Sequence, residues 1–184
     1  METSKPGLAP SPEEIREAAK VLSRLQPGIL PRELFIQITR LWVTSIVEVV
    51  PLRRGEKGNI EVLLLQRPDD DPIWPAMQHT PGTVVRPTDV GDGMGAPFER
   101  ILTDELGLSP EETLQPRFVT IDFHKIARGT EVAQIFTIDL TGYDTPIGVW
   151  YSIDSLPDDL IDTQRPFIML AMKEFTQGDA SHGQ

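Results

Sequence analysis

The chain has 184 residues, of which 39% are hydrophobic and 24% charged, and its formal net charge at pH 7 is −11. This length favours a single domain with its own core, and the acidic balance argues against nonspecific binding of nucleic acid or anionic membrane surfaces. Because the chain has no cysteine, disulfide scaffolds, Cys-ligated metal sites and thiol catalysis are excluded. No apolar run approaches the roughly 18 residues of a membrane span, and the first residues lack a secretory signal, so we expect a cytoplasmic protein.

Two helices are predicted ahead of the main body of the chain. Residues 1–10 are polar and contain Pro and Gly, so we expect a disordered tail there. The Ser-Pro-Glu-Glu sequence at 11–14 has the pattern of a helix N-cap with a capping box, and Pro27-Gly28 should end that helix. A shorter helix is predicted over 32–39. We assign residues 11–40 to a helical extension, whose amphipathic first helix favours packing against the body or formation of a homodimer.

The rest of the chain predicts a domain over residues 41–176, followed by a polar tail over 177–184. Runs rich in β-branched and apolar residues predict strands, and apolar residues at helical spacing predict two helices. Strands are expected at 42–50, 60–66, 83–85, 117–124, 131–140 and 148–152, and helices at 97–106 and 166–175. The first two strands should form a hairpin. This element order indicates an α+β or mixed α/β fold.

Candidate chemistry lies at the end of the helix predicted over 97–106. Asp104 and Glu105 are adjacent carboxylates, and they follow a loop and a short strand that begins near Gly82. Carboxylate oxygens are the ligands that Mg²⁺ or Mn²⁺ prefers, and such an ion would bring a diphosphate with it. A metal ion in this position can neutralise phosphate charge and activate a water molecule for attack on phosphorus.

The same stretch resembles the sequence box of the Nudix hydrolase family, G-x5-E-x7-R-E-U-x-E-E-x-G-U, in which U is an aliphatic residue. Gly82 is similar to the opening glycine, and residues 100–108 (RILTDELGL) are similar to the end of the box. The strand that ends in Arg67 and the stretch from Trp74 to Gly82 also resemble segments that surround the box. The resemblance covers about residues 42–175 and leaves the N-terminal helices unexplained.

The resemblance implies an α/β/α sandwich with a mixed β-sheet, preceded here by the helical extension. It implies cleavage of a diphosphate bond, in a nucleoside diphosphate linked to another group, by water that Mg²⁺ or Mn²⁺ activates. Glu105 and Asp104 would then be the catalytic residues and the metal ligands. The substrate would be bound by Arg67, His79, Gly82 and Arg100. Neither a nucleic acid nor a membrane is expected as a partner.

Several positions depart from the family pattern. Ile101 stands where the box has the glutamate after the arginine, and its apolar neighbours on the helix favour a core position. Thr88 stands at the first glutamate of the box, and Arg100 is spaced to form an ion pair with Asp104 that orients the helix. Carboxylates elsewhere that could compensate are Asp89, Asp92, Asp122, Glu131 and Asp144. Two hypotheses follow: a metal-dependent hydrolase, or a weak or inactive Nudix-fold module that binds a nucleotide or a protein.

Overall fold

The central element of the fold is a long strand, β1 (Val43–Arg54), whose seven consecutive buried residues run from Ile46 to Leu52. Burial of both faces of a strand requires cover on both sides of the sheet. The computed structural model describes residues 9–28, 30–91, 93–109 and 114–180. The predicted N-terminal tail therefore lies largely outside the described residues, and so does Asp92. Residues 177–180 of the predicted C-terminal tail are helical instead, and residues 181–184 lie outside the described part of the chain.

Seven strands form one mixed sheet. After β1 they are β2 (Ile60–Gln66), β3 (Gln78–His79), β4 (Gly82–Val84), β5 (Arg117–Ile126), β6 (Gly129–Asp139) and β7 (Val149–Ser152). The strand order is β3-β2-β1-β6-β5, and β4 and β7 pair with β1 and β2 respectively. The β1–β6 pair is parallel, whereas the other strand pairs are antiparallel. The predicted β1–β2 hairpin and the mixed sheet are confirmed, and β1 extends four residues beyond its predicted end.

Helices cover both faces of this sheet. The helices of the described residues are α1 (Pro12–Leu22), α2 (Arg32–Leu41), α3 (Gly95–Arg100), which continues as a π-helical turn over Ile101–Glu105, and α4 (Arg165–Ala180). Of these, α2, α3 and α4 pack on the sheet. One core cluster packs α4 residues such as Phe167 and Phe175 against β1 and β6. The other packs Ile101 and Leu106 against the opposite face of β1. This arrangement is the α/β/α sandwich that the resemblance implied. Within the described residues, no helix is both long enough and apolar enough to cross a bilayer.

The two N-terminal helices differ in how they meet the body. The capping box predicted for α1 is confirmed, since Ser11 Oγ accepts from the backbone N–H of Glu14 at 3.3 Å and the Glu14 carboxylate accepts from the Ser11 N–H. No residue of α1 is buried. In contrast, α2 packs against the sheet and buries Thr39. The homodimer and the domain boundaries stay predictions.

Candidate functional site

A cavity of about 270 Å³ opens between α2, the sheet face that also carries α4, and the loop after β2. Ten of its lining residues are charged or aromatic. They are Arg32, Phe35, Glu48, Arg67, Asp71, Trp74, His124, Arg128, Glu131 and Phe167. Gly82 also lines it, so two residues predicted to bind substrate, Arg67 and Gly82, meet there. Glu131, one of the carboxylates that could compensate for the missing box glutamate, lies beside them.

Glu48 is the buried carboxyl group at the base of this cavity. It lies in β1 opposite Gly82 of β4, and only 8% of it is exposed. The Thr80 hydroxyl donates to its Oε2 atom at 2.9 Å. Burial raises the pKa of Glu48 to about 8, although the Thr80 hydrogen bond acts in the opposite direction. Sequence reasoning missed this residue, but its position inside the apolar run Ile46–Val50 was a usable signal, because a buried strand tolerates few charges.

Glu105 reaches the same glycine from the other side of the sheet. The backbone N–H of Gly82 donates to Glu105 Oε2 at 3.0 Å. Burial raises the pKa of Glu105 to about 7, although this hydrogen bond and the charge of Arg67 lower it. A Cβ atom at Gly82 would lie 2.7 Å from the carboxyl group of Glu48. A side chain at position 82 would therefore displace the carboxyl group of Glu48.

The side chains of Asp104 and Arg100, the other charged residues of the box, make their hydrogen bonds to residues other than Gly82 and Glu105. Asp104 is exposed and accepts a hydrogen bond from the Thr103 hydroxyl at 3.1 Å. Arg100 donates two hydrogen bonds to Asp89, at 2.7 and 2.9 Å, so the ion pair predicted between Arg100 and Asp104 is wrong. These hydrogen bonds lower the pKa of Asp89 to about 2. Asp89 is buried against Arg100 because the short helical turn Pro87–Asp89 points it inward, which the spacing of the box did not indicate.

Ile101 occupies the core, as the sequence analysis expected. Its side chain is fully buried in the cluster on the α3 face of the sheet. Within the described part of the chain, no three His, Asp or Glu side chains lie together in a group that could hold a metal ion. Glu105 thus has no second carboxylate on its own helix pointing the same way, and these residues alone do not fit a metal cluster. The Mg²⁺ or Mn²⁺ ion stays a prediction.

His79 lies in the interior and does not line the cavity. Its Nδ1 atom is 2.8 Å from the backbone oxygen of Thr80, so Nδ1 must carry the proton in this hydrogen bond. Burial lowers the pKa of His79 to about 4, which keeps the ring neutral near pH 7. His79 is thus a buried, neutral residue of β3 that does not line this cavity. Its contact with substrate stays a prediction.

The β5–β6 hairpin brings an ion-pair cluster to the cavity. Glu131 is 3% exposed and pairs with His124 Nε2 at 3.3 Å and with the guanidinium of Arg128. Asp122 accepts from His124 Nδ1 at 3.0 Å. The hydrogen bond between His124 and Glu131 raises the pKa of His124. Of the carboxylates that could compensate for the missing box glutamate, Glu131 and Asp122 are thus already paired, and Asp144 is exposed outside the cavity.

Arg67 is the cation of the cavity with the fewest partners. Its guanidinium lies 5.8 Å from the centre of the Trp74 ring. Its Nε atom is buried and has no hydrogen-bond partner among the described residues. The basic side chains that line the cavity are Arg32, Arg67, Arg128 and His124, and its acidic side chains are Glu48, Asp71 and Glu131. The cavity therefore brings four basic side chains and three carboxyl groups together.

The fold is similar to several solved structures. One is the NUDIX domain of Shewanella oneidensis NrtR complexed with ADP ribose, with a TM-score of 0.57, 16% identity, and coverage of 85% of this chain and 97% of that chain. Another is a mutT/nudix family protein from Listeria innocua, with a TM-score of 0.60, 14% identity, and coverage of 74% and 96%. A third is a C. elegans Ap4A hydrolase in a binary complex, with a TM-score of 0.56, 17% identity, and coverage of 74% and 99%.

These similarities show that the chain has the Nudix fold, as the resemblance of its sequence to the box implied. The sequence itself matches no protein-family model and no curated protein. Because a fold hosts many functions, activity has to be argued from the site.

Proposed function

We propose that this protein binds a nucleoside diphosphate derivative in the cavity beneath α2, and that it acts as a binding module rather than as a hydrolase. The observation that carries the proposal is the composition of the cavity. Three guanidiniums and three aromatic rings converge there, from Arg32, Arg67, Arg128, Phe35, Trp74 and Phe167.

These side chains match the two parts of a nucleotide. Guanidinium groups bind phosphate oxygens in a bidentate geometry and remain charged at any physiological pH. Aromatic rings stack on nucleobases, each of which has a π face. The volume of about 270 Å³ is near the lower end of typical small-molecule sites, and it accommodates part of a nucleotide while the remainder extends to solvent.

The departures from the box favour binding without turnover. Metal-assisted hydrolysis depends on carboxylates that hold the ion beside the diphosphate. Ile101 is fully buried in the core, and Asp104 is exposed outside the cavity. Arg100 is occupied by Asp89. Glu105 is therefore the one box carboxylate of this helix that lies beside the cavity. A single carboxylate provides few of the oxygen ligands that a divalent cation needs.

The test is calorimetric titration of the full chain with ADP and with ADP-ribose, first in chelator and then in Mg²⁺. We expect binding in chelator, and no release of phosphate or nucleotide products in either condition. Arg67→Gln should weaken binding, because it removes a guanidinium from the cavity. The matched control is Arg53→Gln, since Arg53 also lies over a tryptophan ring, that of Trp150, but outside the cavity. Absence of binding to both probes, in both conditions, would refute the proposal.

Metal-dependent hydrolysis of the same class of ligand is the second candidate, and the placement of Glu105 favours it. Glu105 is anchored to the β4 backbone at Gly82, beside the cavity. If turnover in Mg²⁺ or Mn²⁺ is observed, Glu105→Gln should abolish it, because the amide oxygen keeps the Gly82 hydrogen bond but no longer carries a charge. Asp104→Asn is the control on the same helix. Turnover that is lost only with Glu105→Gln would establish the hydrolase instead of the binding module.

A further inference from the structure

The strand β5 lies at one edge of the sheet. Its inner edge pairs with β6, and its outer edge pairs with no strand that the structure describes. The backbone N–H and C=O groups along such an edge form a template on which another chain can add as a further strand. At ten residues β5 is longer than the usual strand of about five or six, and it contains no proline that would block such pairing.

Apolar side chains are exposed beside this edge, on the face of the sheet that carries α3. The ring of Phe118 lies 5.5 Å from that of Phe136, which packs against the core cluster on the α3 side. Ile121 and Phe123 lie on the same face, because they pair with alternate residues of β6 that precede Phe136. Phe123 is 71% exposed, and Ile121 and Phe118 are each 53% exposed. This end of the sheet is thus left uncovered by α3.

The other face of the sheet also presents open surface at this edge. A second cavity, of about 280 Å³, lies there between β5 and α4. Its lining includes Asp122 and His124 of β5 and two apolar residues of α4, Pro166 and Leu170. A chain added at the outer edge of β5 would therefore cover apolar surface on both faces of the sheet.

The regular part of the edge has its midpoint at Phe123. A β-bulge between Phe118 and Thr120 interrupts the register with β6, so regular pairing runs over residues 120–126. When two identical strands pair antiparallel about a two-fold axis, the residue on the axis stands opposite itself. If that residue is Phe123, Asp122 of each copy stands opposite His124 of the other.

This register is complementary in charge and in polarity. Within one chain Asp122 accepts from His124 Nδ1 at 3.0 Å, and the Asp122 side chain is 45% exposed, so one side of its carboxylate remains open to a second histidine. A pair centred on Asp122 instead would place two carboxylates opposite each other, which is unfavourable. A slip of one residue would bring Phe123 of one copy beside the polar face of the other.

We propose that the protein forms a two-fold symmetric homodimer in which the β5 strands of two copies pair antiparallel, centred on Phe123. The two sheets then continue into one another, and the two Phe123 rings form a cross-strand aromatic pair. The amphipathic pattern of α1 predicts a homodimer through that helix, whereas β5 is a separate surface. The dimer does not depend on whether the cavity beneath α2 binds a nucleotide.

The experiment measures the mass of the full chain by sedimentation over about 1–100 µM, because an interface of one strand pair is small and its affinity is expected to be micromolar. Phe123→Lys places two ammonium groups opposite each other in the proposed register. The matched control is Val149→Lys, since Val149 is also an exposed apolar residue of a strand, at 53%, but lies in β7, which pairs with β2. Leu22→Lys tests the exposed face of α1. Thermal unfolding checks that each variant remains folded.

A cross-linking experiment tests the register without weakening the dimer by charge. Because the chain has no cysteine, Phe123→Cys provides a single thiol. A bismaleimide with a short spacer should join two such thiols across the two-fold axis, because residues directly opposite each other have neighbouring Cβ atoms. Val149→Cys is the control.

We expect the wild-type chain to reach twice its monomer mass at the upper end of the concentration range. Phe123→Lys should weaken dimerisation at least about tenfold, whereas Val149→Lys and Leu22→Lys should leave it unchanged. Phe123→Cys should cross-link to a dimer, and Val149→Cys should not. A monomer at every concentration would overturn the inference, and so would equal effects of Phe123→Lys and Val149→Lys or equal cross-linking of the two thiols. A dimer that only Leu22→Lys weakens would place the interface on α1 and would also overturn it.

Discussion

Replacement of Glu48 by glutamine should stabilise the protein, and increasingly so as the pH rises. Burial in β1 raises the pKa of Glu48 from 4.5 to about 8. Below about pH 4.5 the carboxyl group is protonated in both the folded and the unfolded chain. Between these two values the unfolded chain has released this proton while the folded protein retains it, so the free energy of unfolding falls as the pH rises. Above about pH 8 the folded protein must hold a buried negative charge.

The structure bounds the size of this effect. One pKa unit corresponds to about 1.4 kcal/mol. The full shift from 4.5 to about 8 would therefore lower the free energy of unfolding by on the order of 5 kcal/mol once Glu48 is ionised. Glu48 lines the cavity, is 8% exposed, and accepts a hydrogen bond from the Thr80 hydroxyl. We therefore expect about 2–3 kcal/mol, in the range measured for buried polar groups. Glutamine has the same shape, and its amide oxygen accepts the Thr80 hydrogen bond without a charge.

The assay is urea unfolding of the wild-type chain and of Glu48→Gln at pH 5, 7 and 9. The difference in free energy of unfolding should be smallest at pH 5 and should grow to about 2–3 kcal/mol in favour of the variant at pH 9. Changes at titrating groups that do not interact with Glu48 occur in both chains and cancel in the difference. Glu99→Gln, at an exposed position on α3, controls for the loss of one negative charge. A difference that is the same at all three pH values would refute the reasoning.

Three further predictions concern stability in urea unfolding. Ile101→Glu, which rebuilds the box glutamate, should cost about 3–5 kcal/mol because it buries a carboxylate without a cation; a variant as stable as the wild type would contradict this. Gly129→Ala should lower the free energy of unfolding by about 2–4 kcal/mol, because the new Cβ atom would lie 2.1 Å from the backbone oxygen of Thr39 in α2. Gly142→Ala, which has a positive φ but no neighbour within 4 Å, is its control. Asp89→Asn should cost about 3 kcal/mol at pH 7 because Arg100 loses its buried partner, and the cost should vanish as the pH falls through about 2, where Asp89 itself becomes protonated.

Local sequence patterns predicted the elements of this fold well because their causes are local. The capping box at Ser11 depends on residues three apart, and the strands β1 and β2 depend on runs of apolar and β-branched residues around one turn. The predicted position of Ile101 in the core followed from its apolar neighbours on one helix. The resemblance to the Nudix box rested on residues 100–108 and Gly82, and it led to the correct fold. The elements that were missed, such as the two-residue strand β3, are too short to show a periodic pattern of apolar residues.

Arg67 and Gly82 were predicted from the sequence, but which other residues meet them in the candidate site was decided by the tertiary structure. Asp89 rather than Asp104 binds Arg100, since the inward turn of the loop before α3 outweighs helical spacing. Glu48 meets Gly82 because β4 pairs with the first half of β1, and no spacing along the chain encodes that register. Arg32 lines the same cavity as Arg67 only because α2 folds back over the sheet. Burial and charge at such a site are properties of the packed assembly, so residues that are distant in sequence acquire their chemistry only when the sheet brings them together.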